Sequence, residues 1–159
     1  MALSISRASR LTIRINHLVI LLAALVAAPV SAQAGGESGV VAVYVDGLRS
    51  TDGDLVVRLY RSADGFPWDR RRAYREVRES AHSRGATLLL DDVPSGPVAV
   101  VAFHTEGGGA RVRLDGAGRP LDGWAVSGDL DRGFSTAALR VADGGVAVAR
   151  LRLRYPSDR

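Results

Sequence analysis

The side chains capable of chemistry in this sequence are few and mostly scattered. His104 closes a long apolar run, and Glu106 and Asp115 follow it. Together they are the nearest thing to a metal set. Calcium asks for six to eight oxygen ligands with several carboxylates close in sequence. Zinc asks for three or four nitrogen, sulfur or oxygen ligands. Here two carboxylates are separated by Arg111 and Arg113, and the chain has no cysteine. No metal and no cofactor is expected. A Ser-His-Asp hydrolase has its residue types available but no Gly-x-Ser-x-Gly elbow to expose a nucleophile. Gly107-Gly108-Gly109 lacks the helix that a phosphate cradle needs after its glycines, because residues 110–114 alternate like a strand. No catalytic residue is therefore assigned, and the chain is not expected to be an enzyme.

Two groupings look more like binding surfaces than catalytic ones. Arg70, Arg71 and Arg72, followed by Arg75 and Arg78, form a basic cluster. With Arg150, Arg152 and Arg154 they could hold an acidic glycan or lipid head group. Asp69, Glu76 and Glu79 are interleaved with them, so a solvated face with local ion pairs is the expectation. Phe66, Trp68 and Trp124 fall in expected loops. Large loop aromatics either mark a binding surface or plug the open end of a sandwich, and plugging is favoured. The candidate binding surface is thus Trp68, Arg70, Arg71, Arg72, His104 and Trp124. A competing reading is a small-ligand carrier or hydrolase using a cleft under the loop 107–130, with His104 and Asp122 as its convergent polar groups.

The elements that must position these groups are short strands. Residues 98–103, fed by the turn Pro94-Ser95-Gly96-Pro97, read as a buried central strand. In residues 40–45, Val41, Val43 and Val45 share one face. In 55–60, Leu55, Val57 and Leu59 point inward and Arg58 outward. Residues 69–79 suggest one helical turn and then an edge strand, and 87–90 form another strand. Residues 107–130 read as long and irregular. Residues 137–141 and 146–155 suggest a hairpin across Asp143-Gly144-Gly145. In the last strand Ala147, Ala149, Leu151, Leu153 and Tyr155 alternate with Arg150, Arg152 and Arg154. A slip of one residue would bury three arginines, so the register is strongly specified. About seven short strands and no long amphipathic helix indicate an all-β fold: a single antiparallel Greek-key β-sandwich.

The first 34 residues have the three parts of a secretory signal. Arg7, Arg10 and Arg14 precede the apolar run 18–28. Pro29 then leads to a small-residue cleavage motif at Val30-Ser31-Ala32 or Ala32-Gln33-Ala34. The apolar run is short for a span, which needs about 20 residues. Those three arginines account for most of the formal net charge of +4, so the remainder is close to neutral. A helical signal peptide over 1–34, a linker over 35–39, a sandwich over 40–155 and a tail over 156–159 are expected. So is export to the periplasm or beyond, with no stable membrane span after cleavage. Nucleic acid is not an expected partner, whereas an envelope protein or an acidic glycan or lipid is.

Several stretches carry a family likeness. Val45-Asp46-Gly47-Leu48 with residues 53–60, Ser62-Ala63-Asp64-Gly65-Phe66-Pro67, Asp92-Val93-Pro94-Ser95-Gly96 with 98–104, and Gly118-Arg119-Pro120-Leu121-Asp122-Gly123-Trp124 with Ser127 are the relevant segments. The chain resembles a bacterial domain-of-unknown-function family of small exported proteins. That family is related in fold to the prealbumin (transthyretin-like) and carboxypeptidase-regulatory-like sandwiches. The resemblance covers about 40–153 and implies a fold and a compartment but no reaction. Typical members follow the strand-end histidine with an acidic, asparagine- and glycine-rich loop like a calcium loop. Here residues 105–115 begin with Thr105 and hold no asparagine, which removes the basis for carrying over an ion site.

Overall fold

The computed structural model describes residues 37–107, 111–117 and 119–156. The expected signal helix, its cleavage sites and residues 35–36 of the linker lie outside the described residues, as do residues 157–159. Among the described residues eight strands are found: β1 (Ser38–Asp46), β2 (Asp54–Tyr60), β3 (Arg75–Ser80), β4 (Gly85–Pro94), β5 (Gly96–Thr105), β6 (Gly123–Val126), β7 (Leu139–Val141) and β8 (Val146–Arg152). They form two sheets. One has the order β4-β1-β8; the other has β3-β2-β5-β6, with β7 also paired to β5. The sandwich is therefore as the alternation required. No helix among the described residues is long and apolar enough to cross a membrane.

β5 is the central strand of the larger sheet, and its residues 98–105 are all buried. A strand covered on both faces loses polar alternation and becomes a continuous apolar run. Val98, Val100 and Ala102 face the other sheet. There they join Val41, Val43, Leu55, Val57, Leu59, Ala149 and Leu151 in the main core. Each fully buried Val or Leu contributes about 1.5–3 kcal/mol. Val101 and Phe103 point the opposite way and meet Val56 and Tyr60 in a second cluster. Phe66 and Trp68 from the segment after β2, Trp124 of β6 and Phe134 from the segment before β7 cover that cluster. Phe66 and Trp68 thus cover the outer face of the five-stranded sheet rather than plugging an end of the sandwich, and Trp124, expected in a loop, lies on β6 opposite Phe103.

Four details correct the sequence reading. First, Arg58 is 2% exposed rather than facing solvent. β2 lies between β3 and β5, so its outer face is buried under residues 61–74. Second, β8 does not form a hairpin with β7. β7 pairs antiparallel with β5, whereas β8 pairs parallel with β1, Val43 opposite Ala149. The sheets are therefore not antiparallel throughout. The chain before β8 meets β1 at Gly39. The turn between β7 and β8 docks on the start of β1, with Val40 N–H donating to the Gly145 carbonyl at 2.8 Å and Gly144 N–H to Ser38 at 2.8 Å. A Cβ at position 39 would sit 2.6 Å from the Ala142 and Gly145 carbonyls, so only glycine admits this docking. Third, the stretch 107–130 contains β6, together with a small turn closed by the Leu114–Pro120 bridge. Fourth, β4 and β5 extend well beyond 87–90 and 98–103.

The last strand behaves as its alternation demands. Ala147, Ala149, Leu151, Leu153 and Tyr155 are buried, and Arg150, Arg152 and Arg154 are exposed. Residues 70–72 form the expected single helical turn, with Asp69 accepting from Arg71 N–H at 2.9 Å, and β3 is an edge strand.

Candidate functional site: buried polar groups and an arginine-lined cleft

His104 sits at the end of β5, fully buried. Its Nε2 is 2.9 Å from the Asp52 carbonyl, which can only accept, so the proton is on Nε2. Nδ1 then accepts from the Tyr155 hydroxyl at 2.7 Å, and that hydroxyl accepts from Arg49 N–H at 3.1 Å. Both ring nitrogens have a hydrogen-bond partner. The histidine ties the loop after β1, the end of β5 and the C-terminal segment together. Gly123 lies opposite it across β5–β6, and a Cβ there would come within 2.3 Å of the Tyr155 ring. The Tyr155 ring therefore packs over Gly123 beside the histidine.

Asp122 is 3% exposed and accepts three bonds from one residue. Arg113 N–H reaches Oδ2 at 2.8 Å, and Arg113 Nε and Nη2 reach Oδ1 at 2.9 and 2.6 Å. This fixes the turn 113–121 against the sheet. His104 and Asp122 thus each bond to separate partners, although the β5–β6 register sets His104 opposite Gly123, next to Asp122. Ser127, also buried, accepts from Val100 N–H at 2.8 Å and donates to the Ala137 carbonyl at 2.6 Å.

The third buried ionisable group is Arg58. Its Nε donates to Glu76 Oε2 at 2.8 Å, and its guanidinium lies 5.0 Å from the centre of the Phe103 ring. Arg70 pairs with the same carboxylate, at 2.9 Å to Oε1. Burial pushes the Tyr60 phenol above its usual value, with the Arg58 guanidinium acting against it. No signal in the sequence marked Arg58 as buried, because an arginine at an alternating position reads as outward. Glu76, opposite Arg58 in register across the strand pair, supplies a compensating charge, and the Trp68 carbonyl accepts from Arg58 Nη1 at 3.4 Å.

Glu106 and Asp115 are likewise committed. Glu106 accepts from the Arg49 guanidinium and from Ser50 Oγ at 2.9 Å. These bonds, those of Arg49 foremost and against the opposing effect of burial, hold its carboxyl down to about 2. Asp115 accepts from the backbone N–H groups of Ala117 and Arg119 at 2.9 and 2.8 Å, and from Arg119 Nε at 2.8 Å. Those bonds lower its carboxyl, the Arg119 amide contributing most. Among the described residues no three His, Asp or Glu side chains gather as a metal would require.

The six residues of the candidate surface divide among separate places. Trp68 and Trp124 do meet, edge to face at 5.5 Å, and Trp68 also packs on Phe103 at 5.8 Å. Arg70 is drawn to Glu76 and Arg72 to Asp64 at 3.1 Å, as a solvated face with local ion pairs would have it. Arg71 is exposed in the same turn, and His104 is interior. What the sequence reading did not assemble is a cleft of about 660 Å³ between the β6 and β8 edges. Trp124 and the three arginines 150, 152 and 154 line it, with Asp129 and Asp131 on the opposing wall. The alternation of β8 contained the signal for the arginine row. The cleft was not legible because it needs β6, which was read as irregular.

The class defined by this arrangement is a two-sheet β-sandwich whose buried ionisable groups hold the fold and whose open concavity is cationic on one wall. Residues 43–148 match the family model described as an uncharacterized protein conserved in bacteria (DUF2141), and the chain belongs to that family. No curated protein and no solved structure matches it.

Proposed function

We propose that this chain is an exported, non-enzymatic binding module of the bacterial cell envelope, and that its ligand is an anionic envelope component held in the cleft between β6 and β8. The observation that carries this reading is the contrast between the two sets of charged groups. Arg58, His104 and Asp122 are used up in structural contacts, whereas Arg152 and Arg154 face the cleft without a carboxylate partner among the described residues. Guanidinium groups suit this role because they grip carboxylates and phosphates bidentately. A cleft of this volume lies within the range of ligand sites. Export rests on the three-part leader over 1–34. Kinship with transthyretin-like sandwiches rests on the two-sheet architecture and the shared segments.

Titration calorimetry of the protein against an oligo-uronate, vesicles of anionic phospholipid and an acidic peptide tests the binding claim. Binding of one of these, weakening as salt rises, is expected. No binding of any at low salt overturns it. N-terminal sequencing of protein recovered outside the cytoplasm tests the export claim, with Gln33 or Gly35 as the expected first residue. An intact leader overturns that claim.

A further inference from the structure

The two open sides of the sandwich are finished differently. A sheet edge presents unpaired N–H and C=O groups and is normally blunted or covered. On the β3–β4 side, Arg75 Nη1 donates to the Asp91 carbonyl at 2.6 Å, and Tyr74 Oη approaches the Asp92 carbonyl at 3.5 Å. Side chains from the β3 segment thus cap carbonyls of β4. β3 itself carries the charges of Arg75, Glu76, Arg78 and Glu79. On the other side, β6 and the chain beyond β8 meet at one bridge. There Trp124 N–H donates to the Arg154 carbonyl at 3.0 Å and Arg154 N–H to the Trp124 carbonyl at 2.9 Å. The two edges then part, and the cleft opens between them. Among the described residues β8 is the terminal strand of its sheet, and its outer edge carries no further strand.

The side chains along that edge are ordered. Arg150, Arg152 and Arg154 alternate with buried Ala149, Leu151 and Leu153, so the arginines share one face about 6.5–7 Å apart. Arg150 is held extended over the Tyr44 ring at 5.2 Å. Val148, next on the same face, is 41% exposed. Across a strand pair, opposite charges on facing residues attract and like charges repel.

We propose that the β8 edge accepts an extended acidic peptide as an added strand, its carboxylates at alternate positions paired with Arg150 and Arg152 and its next alternate residue apolar against Val148. The proposal rests on the reading of the cleft as the binding surface and names the occupant. In strand addition the main-chain bonds supply affinity and the alternate side chains supply selectivity. Two guanidinium groups at strand spacing select acids two residues apart, a pattern that a single anion does not require. Leu153 and Ala125 line the cleft between the edges, where the inward-pointing residues of the peptide would lie.

The test is a titration of the isotope-labelled full chain with an acetylated, amidated Val-Glu-Val-Glu-Val-Val peptide. The same peptide with lysine for glutamate and an oligo-uronate serve as comparisons. Binding of the glutamate peptide at least about tenfold tighter than the lysine peptide is expected, equivalent to about 1.4 kcal/mol. New hydrogen-exchange protection at β8 amides should accompany it. Arg152→Glu should reverse the preference between the two peptides while the melting temperature stays within a few degrees. Glutamate-peptide binding without new protection at β8 overturns strand addition. Uronate binding with no peptide binding also overturns it and leaves the cleft as an anion site. No binding by any probe overturns both readings.

Discussion

Replacing Glu76 with glutamine should be among the most damaging single-atom changes available in this protein. Glu76 is the carboxylate of Arg58, whose side chain is 2% exposed, and it also holds Arg70. The amide keeps the shape and one acceptor but removes the charge. A guanidinium at the level of Arg58 then remains in a low-dielectric setting without its counter-ion. Breaking a buried pair in this way costs about 3–5 kcal/mol. The Glu76 side chain retains 16% exposure, which places the expectation at the lower end, about 3 kcal/mol. For a domain of this size that corresponds to a drop of roughly 10–15 °C in melting temperature. Arg58→Met with Glu76→Gln removes both charges, and the methionine can pack on Phe103. Replacing a buried pair by apolar groups is often neutral, so the double variant should recover most of the loss. Thermal and urea melts of the wild type, both single variants and the double variant measure the cycle. A Glu76→Gln protein within about 1 kcal/mol of wild type would refute the assignment of Arg58 as a buried, charge-compensated group.

Other consequences follow from the same contacts. Tyr155→Phe removes the hydroxyl that joins Arg49 N–H to His104 Nδ1 and should cost about 1–3 kcal/mol in a urea melt, because the buried His104 ring nitrogen and the part-buried Arg49 amide each lose a bond. Asp122→Asn should cost about 1.5–3 kcal/mol and raise hydrogen exchange at the Arg113 amide, whose acceptor it weakens. Glu106, with its carboxyl lowered to about 2 by Arg49 and Ser50, titrates lower in the folded than in the unfolded chain. Its contribution is therefore fully present above the ordinary value near 4.5 and is lost as pH falls from there toward 2. Because Arg49 is half exposed, that contribution is about 1 kcal/mol, and Glu106→Gln should flatten this part of the stability–pH curve. Gly123→Ala drives a methyl group into the Tyr155 ring and should cost about 1–3 kcal/mol, read as a lower urea midpoint.

The parts of the fold visible in the sequence were those governed by local alternation. β1, β2 and β8 show the faces that meet the main core directly, because a period of two either matches a buried sheet face or does not, and β5 shows itself as a continuous apolar run. The family likeness held too, over residues 43–148. What escaped was set by contacts distant in sequence. The β7–β8 turn looks like a hairpin loop, but it docks on β1 at Gly39, about a hundred residues earlier, where a side chain would not fit, and β8 runs parallel to that strand. Arg58 looked outward because its cover, the loop 61–74, is recognisable only once Trp68 and Phe66 are seen lying over Phe103 and Tyr60. β6 is four residues long, begins with glycine and follows a glycine-rich stretch, so its pattern is too short to register. The cleft depends on β6 and was hidden with it, although the arginine row on its other wall was plain.

The central claim is that charge in the interior serves the fold while charge in the β6–β8 cleft serves binding. One titration with paired melts tests it most directly: the wild type against an Arg150→Glu, Arg152→Glu, Arg154→Glu variant, each with the acidic peptide at low salt. All three arginines are exposed and line the cleft, so the variant should melt within a few degrees of wild type. Its affinity for the acidic peptide should fall at least about a hundredfold, equivalent to about 2.7 kcal/mol. Unchanged affinity in a folded variant would contradict the account, because the cleft would then have no part in binding.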